Sequence, residues 1–300
     1  MADEPDPREP APLELDVAPT IPGRIARWTA TARVLRSRVE AARRRHKSLD
    51  LALEVVERDS TIGGGMLGGA LAYRLFVFLL PLSLFLVAGL GIYADTTEQS
   101  PSEVASRSGL TGLVAKEVAA AATSPSRWAI LIVTFPVLVY AAGMLYRAIA
   151  IVHAIAWHGS GRAVRLSSKG FAVFSGVLFA QFSGLVILGW IRHSDQVSGV
   201  IGLFLYGALL GGAWLGLARH LPRREVGWTE LVPGAATVAL GMLFINAFNV
   251  YVTSRLVQDR ADTYGALGVA TALLFSLYLV GRLIVVSAVL NATLAARRQR

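Results

Sequence analysis

The sequence predicts an all-α fold: a polytopic membrane bundle of six transmembrane helices with a basic N-terminal cytoplasmic helix. Three observations carry this. The chain of 300 residues is 54% hydrophobic and only 16% charged, which is little charge for a soluble protein. Several windows reach the roughly 20 apolar residues needed to cross a bilayer. The basic residues also alternate between sides, with 20 Lys and Arg on one and five on the other. The positive-inside bias then places both termini in the cytoplasm.

In chain order, residues 1–23 hold six of the twelve prolines and several acids. Such a segment cannot bury enough apolar surface to order itself and is expected to be a disordered tail. It lacks the basic start and apolar core of a signal peptide. Residues 24–58 change to helix-forming residues, with Ile25, Trp28, Leu35 and Val39 at helical spacing and ten Arg or Lys around them. This pattern predicts a basic amphipathic helix on an anionic membrane face, where each basic residue contributes about 1 kcal/mol.

The transmembrane domain is expected over 59–296. Its spans run from about Met66 to Tyr93, Trp128 to Val152, Gly170 to Ile191, Ser198 to Ala218, Leu231 to Leu256 and Tyr264 to Ala295. The last is long enough to tilt or to leave the bilayer. Between the first two spans, Ser100 to Glu103 has capping-box spacing with proline at the first helical position. Leu110, Leu113, Val114 and Val118 follow on one face, so an amphipathic helix on the outer rim is expected. Residues 297–300 form a basic tail.

The composition excludes several chemistries. Cysteine is absent, which removes disulfides, iron–sulfur clusters and thiolate zinc sites. The five histidines are scattered, and no zincin, nucleophile-elbow or phosphate-loop motif occurs. No catalytic residue, metal site or cofactor is therefore expected, and the protein is read as no enzyme. The net charge of +9 is the positive-inside excess rather than a nucleic-acid surface. Arg supplies 26 of the 29 basic residues, a compositional pointer to a bacterial protein of the cytoplasmic membrane. The expected partners are the bilayer and its anionic lipids through residues 24–58. A homo-oligomer or envelope partner is left open. Small residues four apart, Gly64/Gly68, Gly65/Gly69, Gly207/Gly211 and Gly212/Gly216, are read as close helix contacts.

One feature of the spans is odd. All 20 Asp and Glu lie outside them, while Arg74, Arg147 and Arg282 lie inside. Arg74, eight residues past Met66, is about 12 Å deep at 1.5 Å per residue, close to the midplane. A central Arg costs on the order of 2.5–3.5 kcal/mol on insertion scales. Three compensations are open: snorkelling, neutral acceptors, or a wet cavity whose counter-ion is an anionic ligand. Snorkelling suits Arg147. The acceptors are Asn246, Asn249, Asn291, Gln181 and the Val77 carbonyl that Pro81 frees. The candidate ligand-binding residues are thus Arg74, Arg282, Asn246, Asn249, Asn291 and Gln181, with Pro81 as a kink or hinge.

Three stretches resemble the YihY/BrkB family of membrane proteins, formerly labelled ribonuclease BN: "LALEVVERDSTIGGGMLGGALAYRLFVFLLPL", "LPRREVGWTELVPGAATVAL" and "YGALGVATALLFSLYLVGRLIVVSAVLNATLA". The likeness covers about residues 48–296. It implies six helices with cytoplasmic termini, fixes no substrate class, and counts the ribonuclease label as mistaken. Two departures stand out. Arg74 follows the Ala-Tyr pair where the family usually has a neutral residue. Val289 replaces the acid of its Gly-Ala-Glu-Leu-Asn motif. Asn291 and the Tyr264–Gly265 pair match the family pattern.

Two functions are weighed. One is transport or translocation of an anionic amphiphile or lipid through a cationic intramembrane cavity. The alternative is a non-catalytic structural or assembly protein of the cell envelope. Ribonuclease activity is not expected, because metal-assisted phosphodiester cleavage needs clustered acids.

Overall fold

The computed structural model describes residues 46–96, 127–161, 164, 167–192, 196–248 and 254–300. The tail 1–23, residues 24–45 of the basic helix, the loop helix expected after Ser100, and Asn249 lie outside the described residues. Two compact units divide the chain after Leu53. Of the first, residues 46–53 are described and open helix α1, where the Asp50 N–H donates to the His46 carbonyl at 3.1 Å.

The described residues are all-helical: α1 (Lys47–Thr61), α2 (Gly64–Thr96), α3 (Arg127–His158), α4 (Ser168–Arg192), α5 (Gln196–Ala218), a 3-10 turn (Trp228–Leu231), α6 (Val232–Phe248) and α7 (Ser254–Arg298). Among the described residues, five helical stretches are long and apolar enough to cross a membrane: Gly64–Gly89, Trp128–His158, Ile201–Ala218, Trp228–Phe248 and Ala270–Arg298. The expected third span is helical as α4 but is not one of these five.

In the region of the last two expected spans, α6 is described over Val232–Phe248, and Leu256 lies within α7; residues 249–253 between them lie outside the described residues. The sequence "SRLVQDRADTYGALG" carries strong helix formers despite its charges, so the backbone stays helical where hydropathy has already fallen. The 45 residues of α7 make it about 67 Å long, roughly twice the hydrocarbon thickness.

α2 packs on α3 and α7, α4 on α5, α5 on α6, and α6 on α7. The largest buried side chains gather at one end of the bundle: Leu145, Leu217, Leu231, Val285 and Val289. That end carries the C-termini of α3, α5 and α7, the N-termini of α2 and α6, and the second half of α1. Aliphatic and aromatic residues elsewhere face outward, as expected where lipid is the solvent.

The glycine pairs divide in two. A Cβ on Gly68 would lie 2.6 Å from Cδ of Arg282, and one on Gly207 would lie 3.0 Å from Leu243. Gly64 and Gly211 likewise abut neighbours, so both of their pairs are close contacts. Among the described residues, Gly65, Gly69, Gly212 and Gly216 meet nothing within 4 Å. For these two pairs the helix-contact expectation is corrected: spacing by four places residues on one face but does not say which face has a neighbour.

Candidate functional site

The turn from α1 to α2 sets the first part of the site. Gly63 has φ 69°, the left-handed region that glycine enters without a Cβ penalty. The Gly63 N–H donates to the Ser60 carbonyl at 3.1 Å. This turn folds the end of α1 back against α7. The Arg282 guanidinium then meets the Asp59 carboxylate twice, at 3.1 Å (Nη1 to Oδ1) and 2.8 Å (Nη2 to Oδ2). The geometry is the bidentate fork that gives arginine–carboxylate pairs their strength. Arg282 therefore has an acid partner, supplied from just before the first span. Gly64 and Gly68 give that guanidinium its seat.

Further pairs bind the same end. Arg297 Nε donates to Glu54 at 2.5 Å, and Arg298 reaches Glu230 at 3.2 Å. Arg58 donates to the Ala156 carbonyl at 2.8 Å and the Ala292 carbonyl at 3.3 Å. Ala156 is among the last four carbonyls of α3, which lack intrahelical partners. Burial and the nearby Arg224 push the Arg58 guanidinium below its ordinary value; Glu54 pulls it up and Arg300 adds to the depression.

A second polar cluster is wholly buried. Asn291 Oδ1 accepts from the Gly234 N–H at 2.8 Å, while its Nδ2 donates to the Leu231 carbonyl at 3.3 Å. Ser287 Oγ donates to the Gly234 carbonyl at 3.0 Å and accepts from Trp214 Nε1 at 3.2 Å. One asparagine on α7 thus caps the start of α6, satisfying a helix-terminal N–H that has no water to turn to. This accounts for Asn291 structurally. Val289 is 0% exposed, so a carboxylate there would be buried.

The remaining candidates separate. Gln181 Nε2 donates to the Tyr206 hydroxyl at 2.9 Å, joining α4 to α5. Asn246 is half-buried on α6 and Arg147 is exposed on α3. His153 is buried, its Nδ1 3.1 Å from the Ile149 carbonyl. Among the described residues, no group of three His, Asp or Glu gathers that could hold a metal ion.

Arg74 differs from all of these. Among the described residues it has no hydrogen-bonding or ion-pair partner. It opens a cavity of about 530 Å³ between α2 and α3. From α2 come Arg74, Val77, Leu80, Pro81 and Leu84, a helical stripe at i, i+3, i+6, i+7 and i+10. From α3 come Val133, Thr134, Val137, Tyr140, Ala141 and Met144. Arg282 is not part of this lining, so the two arginines serve different places. The cavity is one cation, two hydroxyls and an otherwise apolar wall.

Sequence reasoning reached Arg74 and Pro81 but missed the opposite wall. Pro136 lies inside α3, so both helices beside the cavity contain a proline and lose a backbone hydrogen bond there. Phe85 and Phe135, with ring centroids 6.1 Å apart, join the two helices at the end away from Arg74. The visible signal was the second proline within an apolar run.

No curated protein and no solved structure matches the chain. The family described as "Virulence factor BrkB" matches residues 58–300, from Arg58 through the whole helical bundle. That match spans well over half of the chain and begins at the residue that ties α1 to α3 and α7; the chain belongs to the BrkB family of membrane proteins.

Proposed function

We propose that this membrane protein moves an anionic amphiphile, such as a lipid or lipid-linked precursor, through the bilayer. The observation that carries this reading is Arg74: a cation about ten residues into a 26-residue apolar stretch, facing a cavity with no described carboxylate. An intramembrane cation is costly and marks a ligand or ion path by default. An anionic headgroup would supply its missing partner, and the apolar wall would take the tail. Prolines in both flanking helices support a groove whose width can change.

In the finer picture, six helices span the bacterial cytoplasmic membrane with both termini in the cytoplasm. The 20-to-five division of basic residues supports that orientation. Residues 24–58 would hold anionic lipid at the same face, and neither nucleic acid nor catalysis enters the reading.

The test uses proteoliposomes carrying the full chain and fluorescent phosphatidylglycerol in one leaflet. The unaltered protein should speed exchange between leaflets, and Arg74→Gln should slow it at least tenfold. Equal rates for the two proteins would overturn the proposal.

A further inference from the structure

The groove between α2 and α3 says more about its occupant than that it is anionic. Three properties bear on this: where the groove opens, how long it is, and where its charge sits along it.

The groove opens sideways. Val133 is 65% exposed, Tyr140 70% and Leu84 55%, although each also lines the cavity. Tyr140 lies well inside an apolar stretch long enough to cross a membrane, and Val133 and Leu84 lie within such stretches toward their ends. What they are exposed to is hydrocarbon, so the entrance faces the bilayer interior. A small water-soluble anion would have to cross acyl chains to enter, at the cost of losing its hydration. A lipid is already there.

The length fits one acyl chain. From Arg74 to Leu84 is ten residues, about 15 Å of helix, or half of a roughly 30 Å hydrocarbon layer. Phe85 and Phe135 bring the two helices together just beyond Leu84. The lining takes one or two residues per turn from each of two helices, a narrow groove that suits a single tail.

The charge sits at one end and at unusual depth. Arg74 lies ten residues past Gly64, where α2 begins, so about 15 Å along the helix axis. A headgroup held there is near the midplane, and its tail runs on toward the far surface. A resting lipid keeps its headgroup at the interface. The occupant of this groove is displaced by about half a bilayer from that position.

We infer that the α2–α3 groove is a lateral binding site for a single tail of an anionic lipid, with the headgroup drawn in to Arg74 near the midplane. This rests on the transport reading above and deepens it: the substrate class is a bilayer lipid with an anionic phosphate, and the site holds it partway across.

Native mass spectrometry of the full chain from nanodiscs of equal phosphatidylglycerol and phosphatidylethanolamine tests the site. The protein should keep phosphatidylglycerol through delipidation in several-fold preference. Arg74→Gln should abolish the preference and Arg74→Lys should retain most of it. Val137→Trp, which fills the apolar half, should lower retention of either lipid. Val139→Trp, on an exposed position of α3 outside the groove, should not. Glycerol 3-phosphate should fail to compete. Unchanged lipid retention in both Arg74→Gln and Val137→Trp would overturn the site, as would full competition by glycerol 3-phosphate. Folding is checked separately by helical circular dichroism, and Arg74→Lys keeps the test valid if Arg74→Gln folds poorly. Retention without leaflet exchange would sink the transport reading and leave the site standing. Exchange without retention would do the reverse.

Discussion

Arg282 and Asp59 are 223 positions apart in the chain, yet their side chains meet fork to fork at 2.8 and 3.1 Å. The pair ties the short helix before the first span to the last helix of the bundle. Both side chains are mostly shielded, at 25% and 16% exposure. Removing one partner leaves the other short of solvation, which costs about 2 kcal/mol for a partly buried charge. Asp59→Asn and Arg282→Gln should each lower the thermal transition of the detergent-solubilised protein. The double variant should be no worse than the poorer single one. Additive losses in this cycle would show that the two residues act independently.

How much of this was legible in the sequence follows from where the partners lie. The all-helical character and the presence of several helices able to cross a membrane were readable, because apolar runs of this length fit few alternatives. The lone position of Arg74 was also readable, from the absence of acids in the spans. The partner of Arg282 was not, since Asp59 lies outside every span. It returns to α7 only because Gly63 turns the chain. Hydropathy windows treat the helix before the membrane as separate and so miss an ion pair that crosses the boundary. Asn291 was singled out for its type and family match, but its two backbone partners depend on how α6 and α7 pack.

The seat of that ion pair gives a second expectation. A Cβ on Gly68 would lie 2.6 Å from Cδ of Arg282 and 3.4 Å from its backbone N. Gly68→Val should force α2 and α7 apart and destabilise the protein by about 1–3 kcal/mol, in the range for overpacking. Gly65→Val, one position from Gly64 but facing open space, should change the thermal transition little. Similar losses for both would mean that helix propensity, rather than contact, decides at this stretch.

Asn291→Ala removes an acceptor from the Gly234 N–H and a donor from the Leu231 carbonyl. Both backbone groups belong to a buried helix start, so the loss should be about 1–3 kcal/mol. Asn291→Asp is a sharper probe. It keeps the acceptor for Gly234 but sets a second oxygen against the Leu231 carbonyl, so it should fold no better than the alanine variant. Denaturant unfolding in mixed micelles measures the difference. An aspartate variant as stable as the parent would show that Asn291 Nδ2 contributes nothing.

Arg58→Lys should fail to replace arginine. Arg58 reaches two carbonyls on different helices through separate nitrogens, and an ammonium is a point donor on a flexible stem. Loss of the bond to Ala156, near the C-terminus of α3, should also forfeit part of the favourable helix-dipole interaction. A fall of about 1 kcal/mol is expected, the worth of a typical net hydrogen bond. Amide exchange in the last turn of α3 provides the local readout. Unchanged protection there would separate Arg58 from the end of that helix.

Arg74 should respond in the opposite sense to Arg282, because it has no described partner to lose. In zwitterionic detergent, Arg74→Leu should leave the thermal transition unchanged or raise it, since an unpaired guanidinium at this depth is itself costly. Adding phosphatidylglycerol should then distinguish the proteins. A ligand that binds only the folded state stabilises it by RT ln(1 + [L]/Kd), about 2.7 kcal/mol at a hundredfold excess over Kd. The parent should gain stability with phosphatidylglycerol, and Arg74→Leu should gain much less. Arg282→Gln, whose side chain does not line the groove, should start lower and gain as much as the parent. This crossing of baseline stability and lipid response separates a cation that holds the fold together from one that awaits a ligand. Parallel responses in all three proteins would mean that phosphatidylglycerol acts elsewhere on the bundle.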